Sequence, residues 1–130
     1  MRVLYVEDNE DNRRVVEAML RAGDIEMAEA EDGAAGLQMI ADNDYDLILM
    51  DLRMPRMDGL TAIRELRAQP GPKASLPVIV VTADAGATIE DDCRSAGADD
   101  VVLKPLSIPV LYQAIGDLLA RRGDGSITIG

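Results

Sequence analysis

Apolar runs typical of strands recur along the chain, and each is followed by a stretch in which apolar residues have helical spacing. The runs begin near residues 2, 25, 46, 77 and 100. Several contain four or five aliphatic residues without alternation, which predicts strands buried on both faces of a parallel sheet between helix layers. The regular succession of strand and helix therefore predicts an α/β fold of five β-α units.

The predicted helices show one apolar face each, with apolar residues three and four positions apart. The fourth is predicted over residues 85–96 and places the lone Cys93 on its buried side, where free cysteine is usually found. The residues predicted to face the core are Val15, Val16, Met19 and Leu20 in the first helix; Ala34, Leu37, Ile40 and Ala41 in the second; Leu60, Ile63 and Leu66 in the third; and Leu111, Ala114, Ile115, Leu118 and Leu119 in the fifth.

Right-handed crossovers place helices on both faces of such a sheet, for which the strand order 2-1-3-4-5 is common. We therefore predict a five-stranded parallel sheet in a flavodoxin-like three-layer sandwich. The winding reverses between the first and third strands, so a crevice should form at their carboxyl ends. Residues 1–122 are long enough for one domain, whereas residues 123–130 lack periodicity and are predicted to be a tail or linker.

Polar side chains follow four of the predicted strands directly. Glu7 and Asp8 follow the first strand, Asp51 the third, Thr82 the fourth and Lys104 the fifth. Because the carboxyl ends of parallel strands meet at one edge of the sheet, these groups should converge there. That edge is also where open α/β sheets bind their ligands.

The converging groups have the chemistry of a phosphate site that uses a divalent cation. Carboxylates about 4–5 Å apart repel by several kcal/mol per pair at an effective dielectric near 20, so a cation is required among them. An oxygen-only set of ligands suits Mg²⁺. Lys104 and Thr82 would supply a charge and a hydroxyl donor to phosphoryl oxygens. Asp51 is then placed to attack phosphorus and form an aspartyl phosphate.

Composition narrows the possible partners. The 130 residues include 13 basic and 24 acidic ones, giving a net charge of −11, and no histidine. A negative chain of this kind disfavours binding to nucleic acid or to anionic membranes. No stretch reaches the roughly 18 apolar residues of a membrane span, and the start of the chain does not resemble a signal peptide, which predicts a cytoplasmic protein. The lack of histidine excludes histidine ligands and an internal phosphohistidine.

The motifs around these groups resemble those of the receiver domains of two-component response regulators. The resemblance covers about residues 1–121, and its motifs stand in the order and spacing of that family. They are Val6-Glu7-Asp8-Asn9, the segment Asp51-Leu52-Arg53-Met54-Pro55-Arg56-Met57-Asp58-Gly59, Val81-Thr82-Ala83 and Lys104-Pro105.

The resemblance implies a signalling phosphoacceptor rather than an enzyme, one that promotes its own phosphotransfer and slow dephosphorylation. Asp51 would be the phosphoacceptor, Thr82 and Lys104 would hold the phosphoryl oxygens, and the Lys104-Pro105 bond would be cis. The implied ligands of Mg²⁺ are Glu7 through water, Asp8, Asp51 and the main-chain carbonyl of Arg53.

The resemblance also implies partners. The donor would be a phosphohistidine on a histidine kinase or histidine phosphotransfer protein. A downstream protein would dock on the fourth helix, fifth strand and fifth helix, and the chain would be a monomer or a phosphorylation-dependent dimer. Asn9 and Asn12 resemble receivers of hybrid kinases, while a freestanding regulator is equally compatible with the sequence. The candidate docking residues are Asp91, Asp92, Tyr112 and Gln113.

One departure from the family and two alternatives accompany this interpretation. Val101 stands where the family usually has an aromatic switch residue, which favours, as an alternative, an interaction module that signals without phosphorylation. A Mg²⁺ phosphohydrolase with an aspartate nucleophile is the other alternative, but Arg53 stands where its second aspartate is expected. We also predict an ion pair between Arg53 and Asp84 that screens the path of water to the phosphate.

Overall fold

The computed structural model describes residues 1–84 and 86–121, and these form the predicted alternation of strands and helices. The strands are β1 (Arg2–Val6), β2 (Glu26–Ala30), β3 (Leu47–Asp51), β4 (Val78–Thr82) and β5 (Asp100–Leu103). The helices are α1 (Glu10–Arg21), α2 (Gly33–Asp42), α3 (Gly59–Ala68), α4 (Ala87–Ala96) and α5 (Ile108–Arg121), with a 3₁₀ turn at Pro72–Ser75. The predicted tail at 123–130 lies outside the described residues, so the predicted division of the chain stays a prediction.

All strand pairs are parallel, and the order β2-β1-β3-β4-β5 confirms the predicted topology. Two apolar clusters fill the space on the two faces of the sheet. One includes Ile40, Ile63 and Cys93 and lies beneath α2, α3 and α4. The other includes Leu20 and Ile115 and lies beneath α1 and α5. The central strands β3 and β4 are buried along their whole length, as their uninterrupted apolar runs predicted.

Two residues cap helix ends, and the fifth helix follows the prediction. The Asp58 side chain accepts a hydrogen bond from the main-chain N–H of Thr61 and so caps α3. Gly97 ends α4 with a positive φ of 115°, a conformation that glycine adopts without a Cβ penalty. The five predicted core residues of α5 are all buried.

Three predicted core positions were wrong. Val15 is 53% exposed because Val16 and Leu20, four residues apart, form the buried face of α1. Ala34 and Ala41 are exposed as well, since α2 turns a different side toward the sheet. The predicted start of α4 was also too early: the helix begins at Ala87.

Two glycines explain the orientation of α2. Gly33, Gly36 and Ile40 are its buried residues, and a Cβ on Gly36 would lie 2.8 Å from Cγ2 of Val6. A Cβ on Gly33 would lie 2.8 Å from the carbonyl oxygen of Met57. The helix therefore approaches the sheet through positions that have no side chain, which a search for apolar side chains does not detect.

In the part of the chain that the structure describes, none of the helices combines the length and the apolar character needed to cross a bilayer.

Candidate functional site

The strand ends bring the predicted site residues together at one edge of the sheet. Asp51 and Thr82 are the last residues of β3 and β4, and Lys104 comes directly after β5. In the register, Asp51 pairs with Val81, and Thr82 pairs with Leu103. The parallel pairing therefore places groups that are 53 residues apart, Asp51 and Lys104, in direct contact.

Three carboxylates form the centre of the site. Each of Glu7, Asp8 and Asp51 offers an oxygen within 4.8 Å of the others. Glu7 is 1% exposed and Asp51 6% exposed, whereas Asp8 faces solvent. The cluster is thus a pocket with two buried acids at its base and an open side at Asp8.

Lys104 supplies the positive charge of the pocket. Its Nζ lies 2.7 Å from Oε1 of Glu7 and 3.3 Å from Oδ1 of Asp51. The bond from Lys104 to Pro105 is cis, as the resemblance implied. The ammonium therefore bridges two of the three acids, on ends of different strands.

Thr82 lies beside this pocket and is buried. Its Oγ1 accepts a hydrogen bond from the main-chain N–H of Asp84 at 3.1 Å, which fixes the start of the loop after β4. A hydroxyl has one hydrogen to donate in addition to its acceptor sites. Thr82 is thus oriented by its own loop.

The surroundings of Glu7 include two residues that sequence reasoning missed. The Tyr5 hydroxyl donates to Oε1 of Glu7 at 3.1 Å, and Nη1 of Arg13 donates to the main-chain oxygen of Glu7 at 2.7 Å. Asn12 donates to the same Oε1 through Nδ2 at 3.1 Å. Strand alternation contained a signal for Tyr5, since residues two apart point to the same face. Arg13 had no such signal, because it reaches Glu7 from the first turns of α1.

The crowding of the acids shifts their pKa values. Burial raises the pKa of Asp51 from 3.8 to about 6, and the hydrogen bond and negative charge of Glu7 act in the same direction. Burial also acts to raise the pKa of Glu7, but the hydrogen bonds with Lys104, Asp51 and Asp8 and the positive charge of Lys104 together outweigh it and lower the pKa to about 2. Desolvation and the nearby Glu7 raise the pKa of Asp8. Ionisation is therefore unfavourable for Asp51 and Asp8 and favourable for Glu7.

The same negative charge also raises the pKa values of Lys104 and Tyr5. Burial acts to lower the pKa of Lys104, but its hydrogen bonds and charge interactions with Glu7 and Asp51 raise it. Burial raises the pKa of Tyr5, and the negative charge of Glu7 adds to this. At neutral pH the amine is thus charged and the phenol is neutral, so both act as hydrogen-bond donors.

The loop after β3 borders the open side of the pocket. A Cβ on Gly59 would lie only 2.2 Å from the carbonyl oxygen of Asp51, so this position accepts no larger residue without movement of the backbone. Nη2 of Arg53 lies 2.6 Å from Oδ2 of Asp84, which confirms the predicted ion pair as a contact. Arg53, Asp84 and Asp8 line the same cavity of about 490 Å³.

Val101 lies in β5 opposite Val80 and packs partly buried against the apolar cluster that includes Ile63. This is the packing of an ordinary strand residue.

The donor set fits Mg²⁺. It consists of carboxylate oxygens only, without sulfur or imidazole nitrogen, and hard oxygen ligands are those that Mg²⁺ prefers. A bound cation would also relieve the repulsion from Glu7, which adds to the effect of burial in raising the pKa of Asp51. The open side at Asp8 leaves room for the waters that Mg²⁺ keeps.

The comparisons with known proteins agree with this geometry. A family model described as the response regulator receiver domain matches residues 3–116. The two-component response regulator ORR41 of Oryza sativa subsp. japonica is 41% identical over 93% of this chain and 93% of its own length. The autoinducer 2 sensor kinase/phosphatase LuxQ of Vibrio harveyi is 32% identical over 93% of this chain, which spans only 14% of that protein.

A solved structure extends the agreement to the fold. The receiver domain of sensor histidine kinase PA1611 from Pseudomonas aeruginosa PAO1 is 35% identical, with a TM-score of 0.83 over 92% of this chain and 97% of that one. It is described as having a magnesium ion coordinated in the active site cleft. The chain belongs to the response regulator receiver domains, the phosphoacceptor modules of two-component signalling.

Proposed function

We propose that Asp51 is the phosphoacceptor of this receiver domain and that the reaction depends on Mg²⁺. The observation that carries the proposal is the double contact of Lys104, which reaches both Glu7 and Asp51 inside a cluster of three acids. A site for an anion beside a cation accounts for acids and an ammonium that are buried together at the ligand-binding edge of the sheet.

The metal would be held by Asp8 and Asp51, by the main-chain carbonyl of Arg53, and by Glu7 through water. When bound, Mg²⁺ neutralises charge on the phosphoryl oxygens and on the acids. The backbone of Asp51 is held in place because Asp51 is the last residue of β3 and Gly59 packs against its carbonyl oxygen.

Phosphotransfer follows from the remaining groups. A carboxylate oxygen of Asp51 attacks phosphorus in line with the leaving group, so an O–P bond forms while the P–N bond of a donor phosphohistidine breaks. The released imidazole takes the electron pair of that bond. Lys104 donates to one phosphoryl oxygen and Thr82 to another, which stabilises the charge that they carry.

The lifetime of the aspartyl phosphate would depend on the Arg53–Asp84 ion pair. Arg53 is 80% exposed, and both residues of the pair line the cavity that Asp8 also lines. We infer that water reaches the acyl phosphate through this cavity. We therefore propose that the pair slows hydrolysis, and that the domain is a signalling phosphoacceptor and not a multiple-turnover hydrolase.

The proposed partners are a histidine kinase or histidine phosphotransfer protein as donor and a protein that docks on α4, β5 and α5, in the cytoplasm. Leu103, Ile108 and Val110 are large apolar side chains exposed on this face, which supports docking there. Asp91, Asp92 and Gln113 are exposed as well. The Tyr112 hydroxyl instead donates to the main-chain oxygen of Met19 in α1, so it is the least accessible of the candidate contacts. A phosphorylation-dependent dimer through this face stays a prediction.

Intact mass spectrometry tests the proposed function. The wild type, Asp51→Asn and Asp91→Asn are incubated with acetyl phosphate, with Mg²⁺ or with EDTA. We expect the mass of one phosphoryl group on the wild type and on Asp91→Asn with Mg²⁺, and on none of them with EDTA. An equal gain on Asp51→Asn would refute the assignment, while no gain on any variant would favour the module that signals without phosphorylation. Rapid turnover of acetyl phosphate without a lasting gain would favour the hydrolase.

A further inference from the structure

Oε1 of Glu7 has more hydrogen-bond donors around it than one carboxylate oxygen accommodates well. Tyr5 and Asn12 each donate at 3.1 Å and Lys104 at 2.7 Å. A carboxylate has about four lone-pair sites on its two oxygens, hence about two on each. Three donors therefore compete for Oε1, and the ammonium takes the shortest contact.

Lys104 is the donor that the proposed reaction removes. It already contacts Asp51 as well as Glu7, and it would turn to the phosphoryl group when one arrives. Glu7 then keeps Tyr5 and Asn12 as partners of Oε1. Because O–H···O bonds centre near 2.7–2.8 Å, the phenol at 3.1 Å has room to shorten once the ammonium leaves.

The position of Tyr5 suits such a role. It lies on β1, two residues before Glu7, which directly follows the strand, so the two side chains point to the same face. On that face Tyr5 packs in the apolar cluster beneath α1 and α5. Its ring is 1% exposed and packs in the apolar cluster, which fixes the hydroxyl. The extra methylene of a glutamate, compared with an aspartate, carries the carboxylate to this hydroxyl.

We propose that Tyr5 is a positioning residue of the magnesium site, one that acts through Glu7 and holds its carboxylate in the orientation that binds the metal-bound water. The inference rests on the proposed function for the identity of the metal. Hydrogen-bond partners of metal-binding carboxylates commonly influence metal affinity by about tenfold or more. Since Glu7 would bind through water, we expect the lower end of this range.

The three tyrosines of the chain provide a matched set of single-atom deletions. Tyr5→Phe removes the bond to Glu7, while Tyr112→Phe removes a bond to α1 far from the acids. Tyr45→Phe removes a buried hydroxyl that meets no hydrogen-bond partner among residues 1–84 and 86–121. Each variant keeps the ring, so the packing of the core is preserved.

The experiment is a calorimetric titration with MgCl₂, without any phosphodonor, on the wild type and the three variants. Tyr5→Phe should weaken Mg²⁺ binding about fivefold to tenfold, and the other two should leave it within about twofold. In a Glu7→Asp background, where the carboxylate is withdrawn from the phenol, Tyr5→Phe should change the affinity by less than about twofold. This loss of effect would separate positioning through Glu7 from a general loosening of the fold.

Several results would overturn the inference: unchanged affinity in Tyr5→Phe, an equal loss in Tyr45→Phe or Tyr112→Phe, a full loss that persists in Glu7→Asp, or a wild type that binds no Mg²⁺. The proposed function can fail separately. A chain that binds Mg²⁺ but accepts no phosphoryl group would contradict the role of Asp51, while the Mg²⁺ titration would still decide the role of Tyr5.

Discussion

The pKa of Asp51 leads to a prediction about stability. Without a metal, the folded protein holds the proton of this carboxyl up to about pH 6, whereas the unfolded chain releases it near 3.8. A folded state that binds the extra proton becomes less stable as pH rises between these values. The free energy of unfolding should therefore fall between about pH 4 and pH 6 because of Asp51, and this loss should persist at higher pH.

The difference between 3.8 and about 6 corresponds to about 3 kcal/mol, since each pKa unit is worth about 1.4 kcal/mol. The Asp51 side chain is buried, so solvent screening reduces this value little. Glu7 behaves in the opposite way: its stabilising effect is fully present above its ordinary pKa of 4.5 and is lost progressively as pH falls from there through about 2, so most of the loss lies below the range considered. We therefore expect Asp51→Asn to stabilise the metal-free protein at pH 7.5 by about 1–3 kcal/mol and to be neutral at pH 4.

Urea unfolding in Mg²⁺-free buffer at several pH values between 4 and 7.5 measures this difference. Asp91→Asn, at an exposed position on α4, is the control and should differ from the wild type by the same small amount at every pH. The titrating groups that do not interact with Asp51 are common to both proteins, so their contributions cancel in the comparison. An Asp51→Asn protein less stable than the wild type at pH 7.5, or a difference that does not change with pH, would refute the reasoning.

Three further predictions follow from other contacts. Arg53→Ala and Asp84→Ala should each shorten the lifetime of the phosphorylated protein by a similar factor, measured by intact mass after removal of the donor; unchanged lifetimes in both would remove the proposed role of the ion pair. Gly59→Ala should destabilise the protein by about 1–3 kcal/mol in urea, because its Cβ would overlap the carbonyl oxygen of Asp51; an unchanged midpoint would contradict this. Arg67→Met should destabilise the protein by a similar amount in the same assay, because Arg67 donates to three main-chain oxygens and to Asp99. An unchanged free energy of unfolding would show that water replaces these hydrogen bonds.

Much of the site was predictable because its residues are defined by strand ends. An apolar run followed by a polar group identifies Asp51, Thr82 and Lys104 without any knowledge of distances, and a parallel sheet brings such groups together. The crossover rules then gave the order of the strands. These features depend on local pattern and on general rules of topology, so a single sequence was sufficient.

The remaining features depend on contacts that local pattern does not contain. Gly33 and Gly36 face the core through the absence of a side chain, so the apolar spacing pointed to Ala34 instead. The apolar spacing did not distinguish Val15 from Val16, and only Val16 is buried against the sheet. The bond from Arg13 to the Glu7 carbonyl depends on the path of the β1–α1 connection, which sequence spacing does not define.

The central claim is that a carboxylate oxygen of Asp51 becomes bonded to phosphorus. The most direct test is to phosphorylate the wild type with acetyl phosphate and Mg²⁺, reduce the acyl phosphate with borohydride, and locate the modified residue by peptide mass spectrometry. The account predicts that the reduced residue, a homoserine, stands at position 51 and that its yield falls to background with EDTA. Reduction at Asp8 or Glu7 instead, or a yield independent of Mg²⁺, would contradict it.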